Sequence, residues 1–396
     1  MNILYLTPHV PNPTKIRAHF HVRGLREAGH QVTVATVERG ADDAQHVQSL
    51  RDQGVTVLSA KVGKITMAAN ALTVLPSRLP LQSQLLWSEA LWRTIQSHVR
   101  ANPPDIIHVE HLRMARYGLR LTQDWPVLWD AVDYLSALYR QAARSSRNLP
   151  LRLISRLEAP RLAAYERWLT GQFAATIVIS SNDLALFQAA NPVASRVHLA
   201  LTGVPITSVP AIETRARKTL IITGTLNYHP NVASVLYFVN EILPLIRRDE
   251  PDIQLQLVGA NPVGAVQALA SDQIEVTGFV PSITDYLGQA TIALAPVVYG
   301  SGMQIKVLEA FLTGTPLVAT EVALRGLDVR HKEHVLVADT PADFASAVLR
   351  LLADPDLRAR LGAAGRRYVE QHHDLRATTA RLVEIYQRVI AGVHDF

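Results

Sequence analysis

Ala295-Pro296-Val297-Val298-Tyr299-Gly300-Ser301-Gly302-Met303-Gln304-Ile305-Lys306-Val307-Leu308-Glu309-Ala310-Phe311 reads as the end of a strand, a Gly-Ser-Gly loop and the opening turns of a helix. Glycines on both sides of a serine let backbone N–H groups turn toward an anion, and a helix N-terminus adds its dipole. Lys306 and Glu309 stand at helical i,i+3 spacing and share one face. A lysine that neutralises phosphates and a carboxylate that accepts two ribose hydroxyls make a nucleoside-diphosphate site. The same spacing also suits a tight turn with a surface ion pair, and by spacing alone both readings stand. No G-x-G-x-x-G and no Walker lysine pattern occurs in this stretch, which disfavours dinucleotide and ATP sites.

Outward from this stretch, strand-like apolar runs alternate with helix-length amphipathic segments. In the first half the pattern predicts strands at Asn2–Thr7, Gln31–Val37, Val55–Ala60, Ile106–Glu110, Val127–Asp130 and Ala175–Ser180. Helices are predicted there at Ile16–Ala28, Gln82–Arg100 and Pro150–Gln172. The second half predicts strands at Thr219–Thr223, Ile253–Val258, Ile274–Thr277, Thr291–Ala295, Pro316–Ala319 and His334–Val337. Its helices are predicted at Val232–Arg248, Met303–Thr313, Pro341–Leu352, Asp356–Gln371 and Leu375–Ala391. Continuous apolar strands separated by helices imply parallel sheets covered on both faces. The expected fold class is α/β, with two doubly wound Rossmann-like domains facing across a cleft and ligands at the carboxyl ends of the strands. The seam falls between Gly203-Val204-Pro205 and Arg217, where periodicity lapses just before a new strand.

The length of 396 residues exceeds one ordinary compact core. With 48% hydrophobic and 18% charged residues, a disordered chain is excluded. The absence of cysteine rules out disulfides, thiolate metal sites and cysteine nucleophiles. No apolar stretch reaches the roughly 18 residues needed to cross a bilayer, and Met1–Leu6 reads as a first strand instead of a signal peptide. The expected location is the cytoplasm. The net charge of +5 is uneven: residues 1–210 carry 22 Lys and Arg against 14 Asp and Glu, whereas residues 211–396 carry 17 against 20. Such a split argues against a uniformly basic nucleic-acid binder, and no nucleic-acid partner is expected.

With Ala310-Phe311-Leu312-Thr313-Gly314-Thr315-Pro316-Leu317-Val318-Ala319-Thr320 added, the opening stretch resembles the donor-site signature of retaining GT-B glycosyltransferases of the "glycosyl transferases group 1" (family 4-like) superfamily. Gly224–Asn231, Leu257-Val258-Gly259, Thr277-Gly278-Phe279-Val280 and Ala28-Gly29-His30-Gln31-Val32 match in the family's order. The resemblance implies a nucleotide-sugar donor held by the C-terminal domain (206–373) and a hydroxyl acceptor held by the N-terminal domain (1–205). A terminal helix (374–396) is expected to cross back to the first domain. Glu309 matches the second glutamate of the family's Glu-x7-Glu motif and is the implied ribose ligand. Lys306, Thr225 and the Gly300-Ser301-Gly302 loop are the implied diphosphate side, and Phe279 and Val280 lie against the base. Three departures stand out: Ser301 replaces the first glutamate, Gly224–Asn231 lacks the family's basic pair, and Pro11-Asn12-Pro13-Thr14 replaces a glycine-rich loop. The first leaves the donor sugar open, and the second shifts charge neutralisation onto Lys306. At the third, Lys15 or Arg17 is a candidate phosphate contact, against the plain alternative of a solvated helix start.

In the first half, Asp105–His111 ends a strand with titratable groups, and strand alternation puts His108 and Glu110 on one face. Arg17, Glu110 and His111 are the candidate acceptor-side residues, with His111 also a candidate catalytic group beside Lys306 and Glu309. An ordinary capping role for His111 remains open, as it does for Asp130 and Asp133. Residues 140–167 hold seven arginines against Glu158 and Glu166, interleaved with leucines and Trp168. This segment is either a solvated helix or a contact with an anionic membrane, in which case the protein is peripheral at the membrane's inner face. No Asp-x-Asp stands at a strand end, so no metal ligand and no cofactor is assigned. The expected activity is retaining, metal-independent sugar transfer from a nucleoside-diphosphate sugar to a hydroxyl acceptor, lipid-linked or an envelope glycan precursor. The alternatives are a non-catalytic nucleotide-sugar-binding subunit and a nucleotide-sugar epimerase of the same fold.

Overall fold

Ile3, Leu4, Tyr5 and Leu6 are each at most 1% exposed. An apolar run without alternation needs a strand covered on both faces, and that is how the chain uses it. The computed structural model describes residues 1–13, 15–74, 76–145, 149–190, 193–206, 218–299 and 303–392. The first sheet contains β1 (Asn2–Thr7), β2 (Gln31–Glu38), β3 (Thr56–Lys61), β4 (Ile106–Glu110), β5 (Val127–Val132), β6 (Ala175–Val178) and β7 (Val197–Leu199). They are hydrogen-bonded in the order β3-β2-β1-β4-β5-β6-β7, each pair parallel. The second sheet contains β8 (Thr219–Thr223), β9 (Gln254–Val258), β10 (Ile274–Gly278), β11 (Ile292–Ala295), β12 (Leu317–Ala319) and β13 (Leu336–Val337). Its order is β10-β9-β8-β11-β12-β13, again parallel.

The chain divides into one unit of Met1–Gly203 with Leu375–Phe396 and a second of Val204–Asp374. Each is doubly wound and reverses strand order once, between β1 and β4 and between β8 and β11. Connections on the two sides of such a switch leave in opposite directions, so a crevice opens at the carboxyl ends there. The terminal helix Leu375–Ile390 packs Leu382, Ile385, Tyr386 and Val389 among the β1 residues Ile3 and Tyr5, within the first unit.

Several elements differ from the pattern reading. The helix expected at Gln82–Arg100 begins at Glu89, where Ser88 Oγ accepts from Leu91 N. The helix expected at Val232–Arg248 is three pieces: His229–Tyr237, a π turn at Phe238–Ile242 and Leu243–Asp249. Pro244 has no N–H to give the preceding turn, and a π turn absorbs the mismatch. Strand β7 and the helices Ala41–Asp52, Lys64–Leu72, Leu135–Ser145 and Ser181–Ala190 had no distinct sequence signal. Among the described residues, no helix is long and apolar enough to cross a membrane.

Candidate functional site

In the second unit the two strands flanking the switch, β8 and β11, deliver the candidate donor residues. After β8 the chain turns at Gly224 (φ 142°), and after β9 at Gly259 (φ 155°), a region of backbone space that favours glycine. The turns touch: a Cβ on Gly259 would lie 1.9 Å from Gly224 O, and one on Gly224 would lie 2.8 Å from Asn231 Nδ2. Asn231, in the first turns of the helix His229–Tyr237, is held by donating from Nδ2 to Thr225 O at 3.0 Å. Its free oxygen accepts from Lys306 Nζ at 2.8 Å.

Lys306 opens the helix Ile305–Leu312, whose apolar face is Val307, Leu308, Ala310, Phe311 and Leu312. Its side chain is 7% exposed. Burial lowers the ammonium to about 8, and the Glu309 carboxylate partly offsets this. Burial in turn raises Glu309 to about 7, against the pull of Lys306. Neither group has found a full counter-charge, and both are poised near neutrality. A surface ion pair would be solvated, whereas Lys306 is buried and donates to an amide, so that alternative fails. Thr225 is half-buried beside Gly224, and Val280 is half-buried after β10. Phe279 is 78% exposed, its ring open to stacking. Gly300, Ser301 and Gly302 lie outside the described residues. Tyr299, just before them, hydrogen-bonds through its hydroxyl to His229 Nδ1.

In the first unit, His111 follows β4 at the switch and adopts φ 65°, ψ 149°. That combination is strained for a residue with a side chain, and such strain concentrates where geometry serves a site. His111 N donates to Asp130 O at 2.7 Å, and Arg113 N donates to His111 Nδ1 at 3.1 Å, so the ring caps the short 3-10 turn Leu112–Met114, as the capping alternative expected. Burial and the Arg113 charge lower His111 to about 3, so the ring is neutral. Glu110 pairs opposite Asp130 in the sheet register. Burial, then the Asp130 charge, raises it to about 7, and its Oε2 has no hydrogen-bond partner among the described residues.

Arg17 is placed otherwise than expected. Its guanidinium turns inward at 8% exposure, with Nε 2.6 Å from Asp130 Oδ2 and Nη2 3.0 Å from Oδ1. Nη1 donates to Ala200 O and Thr202 Oγ1. This residue ties β5 to the chain after β7, and its guanidinium is taken up by partners within the unit. Lys15 beside it is exposed. Asp130 is likewise no helix cap: besides Arg17 it meets His108 Nε2 at 3.2 Å and accepts from Val132 N. Burial would raise Asp130, but Arg17 and His108 overcome it and hold the carboxyl well below its usual range. Asp133 is raised to about 7 by burial and by Asp183.

Pattern reading missed Asn231 as the Lys306 partner, and Tyr386, whose hydroxyl hydrogen-bonds His108 Nδ1 at 2.6 Å. Asn231 stood within a motif already singled out, and a polar residue opening a helix after a strand was its only signal. Tyr386 had none, because nothing local links it to β4. His21 Nδ1, close to Tyr5 Oη, completes a group with His108 and Asp130 that has metal-ligand spacing. Arg17 already occupies the carboxylate.

The chain and its fold have counterparts among known proteins. Residues 217–354 match the family model "Glycosyl transferases group 1", and residues 17–203 match "Glycosyl transferase 4-like domain". The chain is 27% identical over 182 residues to a phosphatidyl-myo-inositol mannosyltransferase of Mycobacterium leprae, covering 44% of this chain and 48% of that protein. It is 28% identical over 226 residues to an MMP alpha-(1->4)-mannosyltransferase of Mycolicibacterium hassiacum, covering 54% and 53%. The chain thus spans about half the length of the curated relatives it matches. Its fold superposes on sucrose-phosphate synthase from Thermosynechococcus elongatus with TM-score 0.70 at 16% identity, covering 99% of each chain. The fold is that of GT-B structures, and the chain joins a match to the glycosyl transferase 4-like domain model, over residues 17–203, to a match to the glycosyl transferases group 1 model, over residues 217–354.

Proposed function

We propose that the chain is a retaining, metal-independent glycosyltransferase that moves a sugar from a nucleoside-diphosphate donor to a hydroxyl acceptor. The observation that carries the reading is the buried Lys306–Glu309 pair at the β8/β11 switch, with Asn231 holding the lysine. The second unit takes the donor: Glu309 accepts the ribose hydroxyls, Phe279 and Val280 meet the base, and Lys306 with Thr225 and the 300–302 loop takes the diphosphate. In transfer, the bond from anomeric carbon to phosphate oxygen breaks and the acceptor oxygen bonds to that carbon on the same face. The acceptor's proton passes to the departing diphosphate. Lys306 and backbone N–H groups stabilise the charge that develops there, which is the role a metal ion plays in other transferases.

The first unit takes the acceptor, oriented by neutral His111 and by Glu110. Two of the relatives are named for mannosyl transfer, so a nucleoside-diphosphate mannose is the first donor to assay. A lipid-linked acceptor fits the solvent face of the helix Leu149–Gln172. There Leu149, Leu153, Ile154, Leu157 and Trp168 stand exposed on the same helix as exposed Arg156 and Arg167, while Glu158 and Glu166 are buried. An apolar solvent face studded with arginines suits an anionic membrane surface.

The test is calorimetry with nucleoside diphosphates, with and without chelator, followed by transfer assays with their sugars. Chelator-independent binding and transfer with retention meet the proposal. Donor binding without transfer to any acceptor indicates a binding subunit instead, and sugar isomerisation without acceptor indicates an epimerase.

A further inference from the structure

The carboxyl edge of the first sheet carries a second group of charges that the donor reading does not use. Three adjacent strands, β2, β1 and β4, end side by side. Arg39 follows β2, His9 follows β1, and His111 and Arg113 follow β4. Lys15 stands just before the helix Ile16–Glu27 that continues β1. These side chains converge: Arg39 Nη2 contacts His9 Nδ1, and Lys15 lies within Coulombic reach of Arg39 and Arg113. His9 feels Arg39, Lys15, Arg113 and His111 together.

The cluster is short of negative charge. Asp43 is the acidic group facing Lys15 and Arg39, and its Oδ2 already accepts from Arg39 N and Gly40 N. Arg113 Nε donates to a neutral partner, Gln82 Oε1, at 2.8 Å. Among the described residues none of Lys15, Arg39 and Arg113 forms a salt bridge with a carboxylate. Partial burial lowers all three; the Arg39 charge adds to this for Lys15 and Arg113, whereas Asp43 partly offsets it for Arg39, and burial with the Arg39 charge holds His9 at about 2 and therefore neutral. Like charges held together at a strand-end crevice destabilise the empty protein and stabilise an anion that enters. Arg39 and Arg113 offer planar forks suited to phosphate oxygens, and Lys15 adds a point charge.

We propose that Lys15, Arg39 and Arg113 bind a phosphate monoester or diester carried by the acceptor. This deepens the assignment of the acceptor to the first unit and rests on it. His111 stands beside the cluster and Arg113 N donates to its ring, so an acceptor held by its phosphate presents a nearby hydroxyl to that imidazole.

The test uses inorganic phosphate as probe on the full chain, titrated by calorimetry alone and in the presence of a saturating nucleoside diphosphate. Phosphate is expected to bind in both conditions. Arg39→Gln and Arg113→Gln should each weaken it about tenfold, while Arg113→Lys retains most of it. Nucleotide affinity should stay unchanged in all three variants. Arg39 is exposed, so its variant keeps the protein folded even if Arg113→Gln does not. Absence of phosphate binding, or equal binding by wild type and Arg39→Gln, overturns the proposal. Displacement of phosphate by nucleotide, with nucleotide affinity falling in the variants, also overturns it and assigns the cluster to the donor's diphosphate. If no nucleotide binds the wild-type chain, the donor reading fails, and the phosphate titration without nucleotide still decides this one.

Discussion

Lys306 Nζ donates to Asn231 Oδ1 at 2.8 Å, joining the helix after β11 to the helix after β8 across the strand-order switch. The partner is a neutral amide, fixed from its other side by Thr225 O. The lysine is therefore positioned without being neutralised, and its charge stays available to a ligand. Glu309, one helical turn on, acts on it through the field alone.

Replacing that amide separates position from charge. Asn231→Ala should weaken nucleoside-diphosphate binding by about 1 kcal/mol, the net worth of one hydrogen bond. Asn231→Asp should weaken it more, because a carboxylate there neutralises Lys306 while preserving its place. Calorimetry on the two variants checks the order, and an equal loss in both would remove charge from the explanation.

The pH dependence of nucleotide binding follows from the same pair. Lys306 titrates near 8 and Glu309 near 7 in the empty protein. Above about 8 the lysine loses the proton that attracts phosphate, and below about 7 the carboxylate gains one and becomes a weaker ribose acceptor. Affinity should therefore peak between these values and fall on both sides. The carboxylate also costs stability. Its folded-state value lies above the ordinary 4.5, so the folded chain binds the extra proton and loses stability as pH rises from 4.5 through about 7. Glu309→Gln should then raise the melting temperature at pH 8 by roughly 2–4 °C, for about 1 kcal/mol in a unit of this size. The gain should vanish below pH 4.5.

In the first unit, Asp130 is fully buried and holds Arg17 and His108 together. Asp130→Asn should destabilise the protein by about 3–5 kcal/mol, since it leaves Arg17 buried without its counter-charge. Urea unfolding measures this. Adding Arg17→Met should recover part of the loss, because the two sites share one interaction.

The helix Leu149–Gln172 gives a prediction at its solvent face. Sedimentation with anionic vesicles should fall steeply as salt rises, because screening at 0.1 M already acts within about 10 Å. Leu153→Glu with Leu157→Glu should abolish sedimentation while leaving the melting temperature unchanged, since both residues are more than half exposed. Equal sedimentation of variant and wild type would remove this face from any membrane contact.

What the sequence disclosed and what it hid have physical reasons. Ile3–Leu6 and Ile106–Val109 announce buried parallel strands because no polar residue interrupts the run except His108. Lys306 and Glu309 were legible because a loop of small residues and a helix start supplied both spacing and direction. Arg17 misled, because an arginine at a helix start reads as free to meet a phosphate or an acceptor until a carboxylate 113 residues away claims it. Tyr386 and His108 meet over 278 residues, beyond any local periodicity. Arg39 and Arg113 carried no local signal, and only the sheet order β2-β1-β4 brings their strand ends side by side.

Glu309 and Lys306 are proposed to bind a nucleoside diphosphate. Calorimetry of wild type and Glu309→Ala against a panel of nucleoside diphosphates tests it most directly, with melting temperature as the control for folding. The wild type should bind at least one nucleotide, and the variant should lose about 2–3 kcal/mol of that affinity, as two charge-assisted hydrogen bonds disappear. Undiminished affinity in a folded Glu309→Ala protein, or no binding by the wild type to any nucleotide in the panel, would contradict it.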